Sequence, residues 1–338
     1  MRSTTTATAK EKTAPRPERT AWRLRGWSFL TEFGTLLAFL ALCLALALLS
    51  PAFLTLNNFL TILRQVSILA IISLGMTLVM TTGGIDLSVG EAADAGALLS
   101  ISLLSAGLGT LPAVLGGLAG GLLLGAFNGF LVGFLGVMPF LATLGTHTMA
   151  MSMEMVYTQG GLPIYPLGLL PESFNFLGRG WVGPVPFPVL ILGGVLVLYY
   201  LILHRSAFGR RVYAVGGNAE AARFSGIDVR LVRFKSYLLA GLTAALAGVI
   251  LASRISSGQP LAGESFLLDS IAASFMGMTL SREGKPSVLG TLFGACFLGV
   301  VLNGMTLLNV VFYLQTLIKG GLLLGVLALA SYARTRRN

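Results

Sequence analysis

The chain has 338 residues, 55% of them hydrophobic and 11% charged, with a mean hydropathy of +0.83. A soluble globular domain carries about a quarter charged residues, so this composition excludes a soluble enzyme and describes a polytopic membrane protein. The net charge of +10 does not point to nucleic acid, because the basic residues are clustered: seven of the 23 lysines and arginines lie in residues 2–25, seven between Arg205 and Lys235, and three in Arg334–Arg337. The positive-inside rule assigns such clusters to the cytoplasm.

In chain order, residues 1–27 are polar, with Pro15 and Pro17, and read as a disordered basic cytoplasmic tail before a retained anchor, Phe29 to Ser50. Pro51 closes that helix. Phe53–Leu63 carries Asn57 and Asn58, with Arg64 next, and is expected to lie in the membrane interface. Crossing a bilayer takes about 20 apolar residues, and the expected spans are 65–82, 88–108, 111–136, 140–158, 185–203, 236–253, 267–281, 288–309 and 312–332. Gly116, Gly117, Gly120, Gly121 and Gly125 should bury the fourth span among its neighbours. The proline-rich stretch 159–184 and Ser256–Gly263 read as external, and 204–235, Arg282–Lys285 and the tail 334–338 as cytoplasmic. The predicted fold is therefore an all-α bundle with about ten transmembrane helices, some discontinuous, both termini cytoplasmic and one membrane domain over 28–333. Cys43 and Cys296 lie within apolar segments and read as small core residues.

Gly83-Gly-Ile-Asp-Leu-Ser-Val-Gly-Glu91 interrupts this pattern with three glycines, two carboxylates and a hydroxyl. Irregular polar chain at membrane depth persists only where protein buries it or a wet cavity solvates it. Asp86 and Ser88 can pair with freed backbone N–H groups or contact a solute. Glu91 and Asp94, three residues apart, share a helix face and line a wet vestibule or sit at the interface. His147 and Glu154 share a face of the fifth span. Glu154 is expected in interfacial water, and His147 either satisfies an internal hydrogen bond or meets the solute. Asp269, at the start of the eighth span, faces the pathway or caps its helix. An echo between Gly84–Ser88 and Gly277–Ser281 suggests a parallel repeat of two halves.

In the cytoplasmic segment, Asn218 is a good N-cap, Glu220 suits the first turn, Ala221 and Ala222 propagate helix, Arg223 follows, and Gly226 can adopt the left-handed stop. A helix so short is marginal alone. Its explicit caps indicate either an element that docks on a partner or a capped turn linking two spans. The chain lacks Gly-x-x-x-x-Gly-Lys-Ser/Thr: Gly284-Lys285 is followed by Pro286. It therefore has no phosphate-cradling loop of that kind, and any ATP hydrolysis belongs to another subunit.

Three stretches together resemble the permease subunits of ribose-type ABC sugar importers: Gly84-Ile-Asp-Leu-Ser-Val-Gly90; Ala214 to Ile227 with its Gly-Gly-Asn-x-x-Ala-Ala-Arg-x-Ser-Gly core; and Asp269-x-Ile-Ala-Ala273 with Gly290-Thr-Leu-x-Gly294. The resemblance runs from about Leu56 to Ala330. It implies an inner-membrane permease paired with a second copy or a homologue, cytoplasmic ATP-binding subunits that use ATP and Mg, and a periplasmic sugar-binding protein. It also implies that Asn218–Gly226 fits a groove on the ATPase, and that this chain binds no cofactor. Glu91 with Asp94, Met276–Lys285, and His147 with Glu154 depart from the family's pattern and bear on the solute and the gate. The alternative is a proton-coupled carrier using Asp86, Glu91, Asp94 and His147 as a relay.

Overall fold

The computed structural model describes residues 35–279 and 284–335. The tail expected over 1–27, the start of the anchor at Phe29, Arg282 and Glu283, Ser281 of the internal echo, and residues 336–338 lie outside the described residues. In chain order the elements are α1 (Thr35–Leu49), α2 (Leu56–Thr81), α3 (Val89–Ser105), α4 (Thr110–Gly129), α5 (Pro139–Tyr157), α6 (Glu172–Arg179), a hairpin of β1 (Trp181–Val182) and β2 (Val185–Pro186), α7 (Phe187–Tyr200), α8 (Ala207–Gly217), α9 (Ala219–Phe224), α10 (Val229–Ile255), α11 (Glu264–Thr279), α12 (Val288–Leu307) and α13 (Phe312–Thr335). Wider π-helical turns extend α4 through Phe134 and α7 through Arg205. Among the described residues, five helices are long and apolar enough to cross a membrane by length and composition: α2, α4 through Phe134, α7 through Arg205, α10 and α12.

Two helices form the centre. α2 and α10 pack antiparallel, with Gly75 against Ala240 and Thr243, and Gly84 against the Tyr237 hydroxyl. Each then packs on a helix pair from the other end of the chain. α10 lies on α3 and α4, and α2 lies on α11 and α12. The α4–α10 seam is a ladder of five glycines spaced four residues apart. Gly117 meets Val249, Gly121 meets Ala245 and Gly241, Gly125 meets Gly241, Gly129 meets Phe234 and Gly133 meets Arg230. Any added Cβ would overlap α10 there, and backbone approach of this kind drives helix association in lipid. Gly116 and Gly120 accommodate Leu103 and Leu99 of α3, while Leu111, Leu115, Leu123 and Phe127 stay exposed. α4 is therefore buried along its glycine faces and not all round.

The α2–α12 seam is polar. Thr77 Oγ1 lies 2.6 Å from Thr291 Oγ1 and 3.1 Å from Ser274 Oγ of α11. Near the opposite end, Asn58 Nδ2 donates to Asn303 Oδ1 at 3.1 Å and Asn303 Nδ2 returns a bond to Asn58 Oδ1 at 2.8 Å. This pair corrects the interfacial reading of Phe53–Leu63: residues from Leu56 onward are the first turns of α2, and Asn58 is buried.

The element order repeats. A long helix, an interruption, a shorter helix, a further helix and a peripheral helix occur as α2, 82–88, α3, α4, α5 and again as α10, 256–263, α11, α12, α13. Because α2 and α10 run antiparallel, the two halves are related in inverted sense. The expected parallel match of Gly84 with Gly277 is replaced: Gly277 lies at the end of α11, packed on Gly290. Segment 256–263, expected as an external loop, instead runs along α3, with Gly258 against Leu98 and Gly263 against Gly90.

Candidate functional site

The first interruption begins where Thr82 N and Gly83 N donate to the Val79 and Met80 carbonyls, and Gly83 turns the chain at φ +86°. Side chains then replace the missing helical bonds. Asp86 Oδ1 accepts from Ser88 N at 2.9 Å and from Ser88 Oγ at 2.8 Å. Asn128 Nδ2 of α4 donates to Ser88 Oγ at 2.6 Å. The Ile85 carbonyl accepts from Tyr237 Oη of α10 and from Thr143 Oγ1 of α5, both at 3.3 Å. Asp86 and Ser88 are thus buried and bonded to the break itself.

Glu91, in the first turn of α3, and Asp94 one turn later are also buried, at 2% and 1% exposure. They are enclosed by helices and not at the bundle's surface. Glu91 Oε1 lies 2.6 Å from His147 Nδ1 of α5. Asp94 Oδ1 accepts from Gly263 N at 2.7 Å, and Glu154 Oε2 of α5 accepts from Leu261 N at 3.3 Å. Glu154 is buried, so its place is beneath the second interruption and not in interfacial water. Carboxylates therefore supply acceptors for a non-helical strand, as backbone at such depth requires. Glu91 Oε2, Asp94 Oδ2 and Glu154 Oε1 remain buried without a protein donor, leaving acceptor capacity for a donor-rich solute.

α5 meets this centre through one stripe. Ala142, Thr143, Thr146, Ala150 and Glu154 are its buried residues, with half-buried His147 between them, while Leu141, Leu144, Met149 and Met153 are exposed. The stripe is made of small and polar groups, so separating α5 from α3 exposes little apolar surface.

Asp269 stands apart from that cluster. It lies in the second turn of α11 and is no N-cap; its Oδ2 accepts from Lys319 Nζ of α13 at 2.9 Å. The structure brings together Asp86 with Ser88 and Glu91 with His147, and sets Asp94 and Glu154 under the second interruption. Asn128, Thr143, Tyr237 and Lys319 escaped the sequence reading. A lone amide or ammonium in an apolar helix demands a partner, which was the available signal for Asn128 and Lys319.

In the segment between α7 and α10, Asn218 Oδ1 accepts from Ala221 N at 2.9 Å. Gly226 N and Ile227 N close the other end on the Arg223 and Ala222 carbonyls, with Gly226 at φ +80°. Ala222 is buried, whereas Glu220, Ala221 and Arg223 are exposed and Phe224 is 84% exposed. The preceding helix reaches the core: Gly216 packs directly on the Thr81 carbonyl at the end of α2. Tyr213 Oη donates to the Pro286 carbonyl at 2.7 Å, and Val288 N to His204 Nε2 at 3.3 Å, so the same segment touches the start of α12.

Residues 58–327 match the family described as branched-chain amino acid transport system / permease component. The chain is 41% identical to the ribose import permease protein RbsC of Bacillus subtilis, over 86% of this chain and 89% of the relative. It is 40% identical to RbsC of Escherichia coli K12, over 88% and 92%. Identity to the D-allose transport system permease protein AlsC of Escherichia coli K12 is 33%, over 89% and 92%. No solved structure matches the chain. The chain therefore belongs to the branched-chain amino acid transport system / permease component family, a family of multi-pass transport proteins.

Proposed function

We propose that this chain is the transmembrane permease subunit of an ATP-binding-cassette importer in the bacterial inner membrane, passing a monosaccharide or sugar-like solute. The relatives named for ribose and allose transport support the solute class. A periplasmic binding protein delivers the solute, and hydrolysis of ATP with Mg on a separate cytoplasmic subunit drives the cycle. The chain itself is a non-enzymatic transport component. It works as a pair with a second copy or a homologue, and crosses the lipid about ten times with both termini in the cytoplasm. Asp86, Ser88, Glu91, Asp94, His147 and Asp269 border the pathway. Asn218, Glu220, Ala221, Ala222, Arg223 and Gly226 form the helix that the ATPase grips.

The observation that carries this reading is the packing of Gly216 on the Thr81 carbonyl. The end of α8, directly before α9, lies against the last turn of α2, immediately before the Gly83–Ser88 interruption. A displacement of α9 by an ATPase is thereby delivered to the end of α2, where the chain leaves the helix for the Gly83–Ser88 interruption. Thr143 on α5 holds the same interruption through the Ile85 carbonyl, so the push continues to the loosely packed helix beside Glu91.

Substituting Ala221→Pro tests the link. Proline at 221 removes the N–H that Asn218 Oδ1 accepts and disfavours helical backbone at Glu220, so the short α9 should lose its cap and unwind while the membrane bundle keeps its fold. Vesicles carrying the variant with its ATPase and binding protein should retain binding-protein capture and lose ATP-dependent ribose uptake by at least tenfold. Normal uptake would remove α9 from the mechanism. Uptake that stops with an uncoupler while ATP is held constant would replace the ATP-driven reading by a proton relay through Glu91 and His147.

A further inference from the structure

α7 and α10 change between uncharged and basic sequence at matching places. Phe187–Leu203 carries no charge and is followed by His204 and Arg205, and Lys235 is followed by the uncharged run Ser236–Ser253. That run rises about 27 Å as helix, close to the roughly 30 Å of hydrocarbon in a bilayer. Arg205 and Lys235 therefore mark one edge of the hydrocarbon, and the chain between them lies from the headgroup layer outward. The Arg205 guanidinium sits 5.9 Å from the centroid of the Tyr200 ring, aromatic company of the kind found at such an edge. From Arg205 to Lys235, seven cations stand against two acidic residues, Glu220 and Asp228.

An open cavity of about 250 Å³ lies in this layer, between α8 and the start of α10. Val212 and Val215 of α8 share one buried core with Val232 of α10, which fixes the spacing of the two helices. Buried Val232 is the floor of the cavity, half-buried Phe208 and exposed Leu231 continue it, and Arg211 and Lys235 are exposed at its rim. Among the described residues, the ion pairs within 4 Å are His147 with Glu91 and Lys319 with Asp269, and they include neither rim cation. The remaining lining residue, Asp228, caps α10: its Oδ1 accepts from Leu231 N at 3.1 Å. Two cations against one capping carboxylate leave the cavity net positive. From Lys235 to Asp228 the helix rises about 10 Å, so the cavity runs outward from the hydrocarbon edge through the headgroup layer.

We propose that this cavity binds the headgroup of an anionic phospholipid. Arg211 takes the phosphodiester through its planar guanidinium fork, Lys235 adds a point charge at the hydrocarbon edge, and Phe208, Leu231 and Val232 cover the lipid's glycerol backbone. Basic pockets between helices at this level recognise phospholipid headgroups. An acidic protein surface would meet the same cations, but an apolar floor that opens at the edge of the hydrocarbon favours a molecule with a tail in it. The bound lipid would anchor α8, whose Gly216 packs on the Thr81 carbonyl, to the membrane surface. The inference depends on the depth of the cavity in the membrane and not on the solute.

The test is equilibrium binding of a phosphatidylglycerol with a fluorescent acyl tail to the full chain in neutral detergent. Wild type should bind it saturably, release it to unlabelled phosphatidylglycerol and retain it against phosphatidylcholine. Arg211→Gln with Lys235→Gln should weaken binding about tenfold or more. Arg223→Gln with Arg230→Gln removes the same charge from exposed side chains outside the cavity and should leave binding nearly unchanged. No loss in the first double variant overturns the proposal. Equal loss in both also does, because it would reflect attraction to the overall charge of the segment. Glycerol phosphate competing as well as the intact lipid would make the cavity a free-phosphate site, and loss of lipid binding on addition of the ATPase subunit would make it a protein interface; either result overturns the lipid assignment.

Discussion

Lys319 and His147 have parallel places. Each is a cation-capable side chain on a peripheral helix, α13 or α5, and each reaches a buried carboxylate on a helix that follows an interruption, Asp269 on α11 or Glu91 on α3. A buried carboxylate that loses its partner keeps its full desolvation penalty, so breaking such a pair costs about 3–5 kcal/mol, whereas replacing both members by apolar groups is often neutral. Lys319→Met alone should therefore lower the thermal midpoint of the detergent-solubilised protein sharply, and Lys319→Met with Asp269→Leu should recover most of it. Equal loss in the single and double variants would show that the pair contributes nothing beyond its separate side chains. Glu91 differs in that its second oxygen has no protein donor.

The elements were partly legible. Gly83 and Gly84 mark the first interruption because only a turn residue tolerates φ +86° there, and Asn218 with Gly226 delimits α9 because its caps are local in sequence. What stayed hidden depends on distant partners. Asn58 looks interfacial until its amide meets Asn303, 245 residues away. Segment 256–263 looks like an outside loop until Asp94 and Glu154 accept its N–H groups. Polar residues in a membrane chain are ambiguous because the same side chain serves water or a buried bond, and sequence spacing does not say which. Phe224 is the reverse case: an apolar residue at the end of α9 that the fold leaves 84% exposed. On the proposed docking of α9, the ATPase groove covers it. Phe224→Asp should leave the thermal midpoint of the isolated chain unchanged and cost about 2 kcal/mol or more of ATPase affinity, the range of an interface hot spot. The readout is the amount of ATPase subunit retained on the immobilised permease; full retention would place the groove elsewhere.

At the scale of the molecule, the two inverted halves exchange their central helices. α2, from the first half, completes the core of α11 and α12, and α10, from the second, completes that of α3 and α4. Neither half buries its glycine ladder or its hydroxyl cluster alone, because Gly121 needs Gly241, and Thr77 needs Thr291 and Ser274. The covalent connection through the β1–β2 turn at Gly183 is an exposed link between halves already interlocked by packing. Chain continuity there should contribute little once the protein has folded, because loop-closure entropy grows only slowly with loop length. A protease site inserted at Gly183 and cut after purification should yield two fragments that co-elute in detergent, with a thermal midpoint within a few degrees of the uncut protein. Fragments that separate on the column would mean that the halves are held by the chain and not by the exchanged helices. The α9 push would then lack the rigid frame it needs to reach the Gly83–Ser88 interruption.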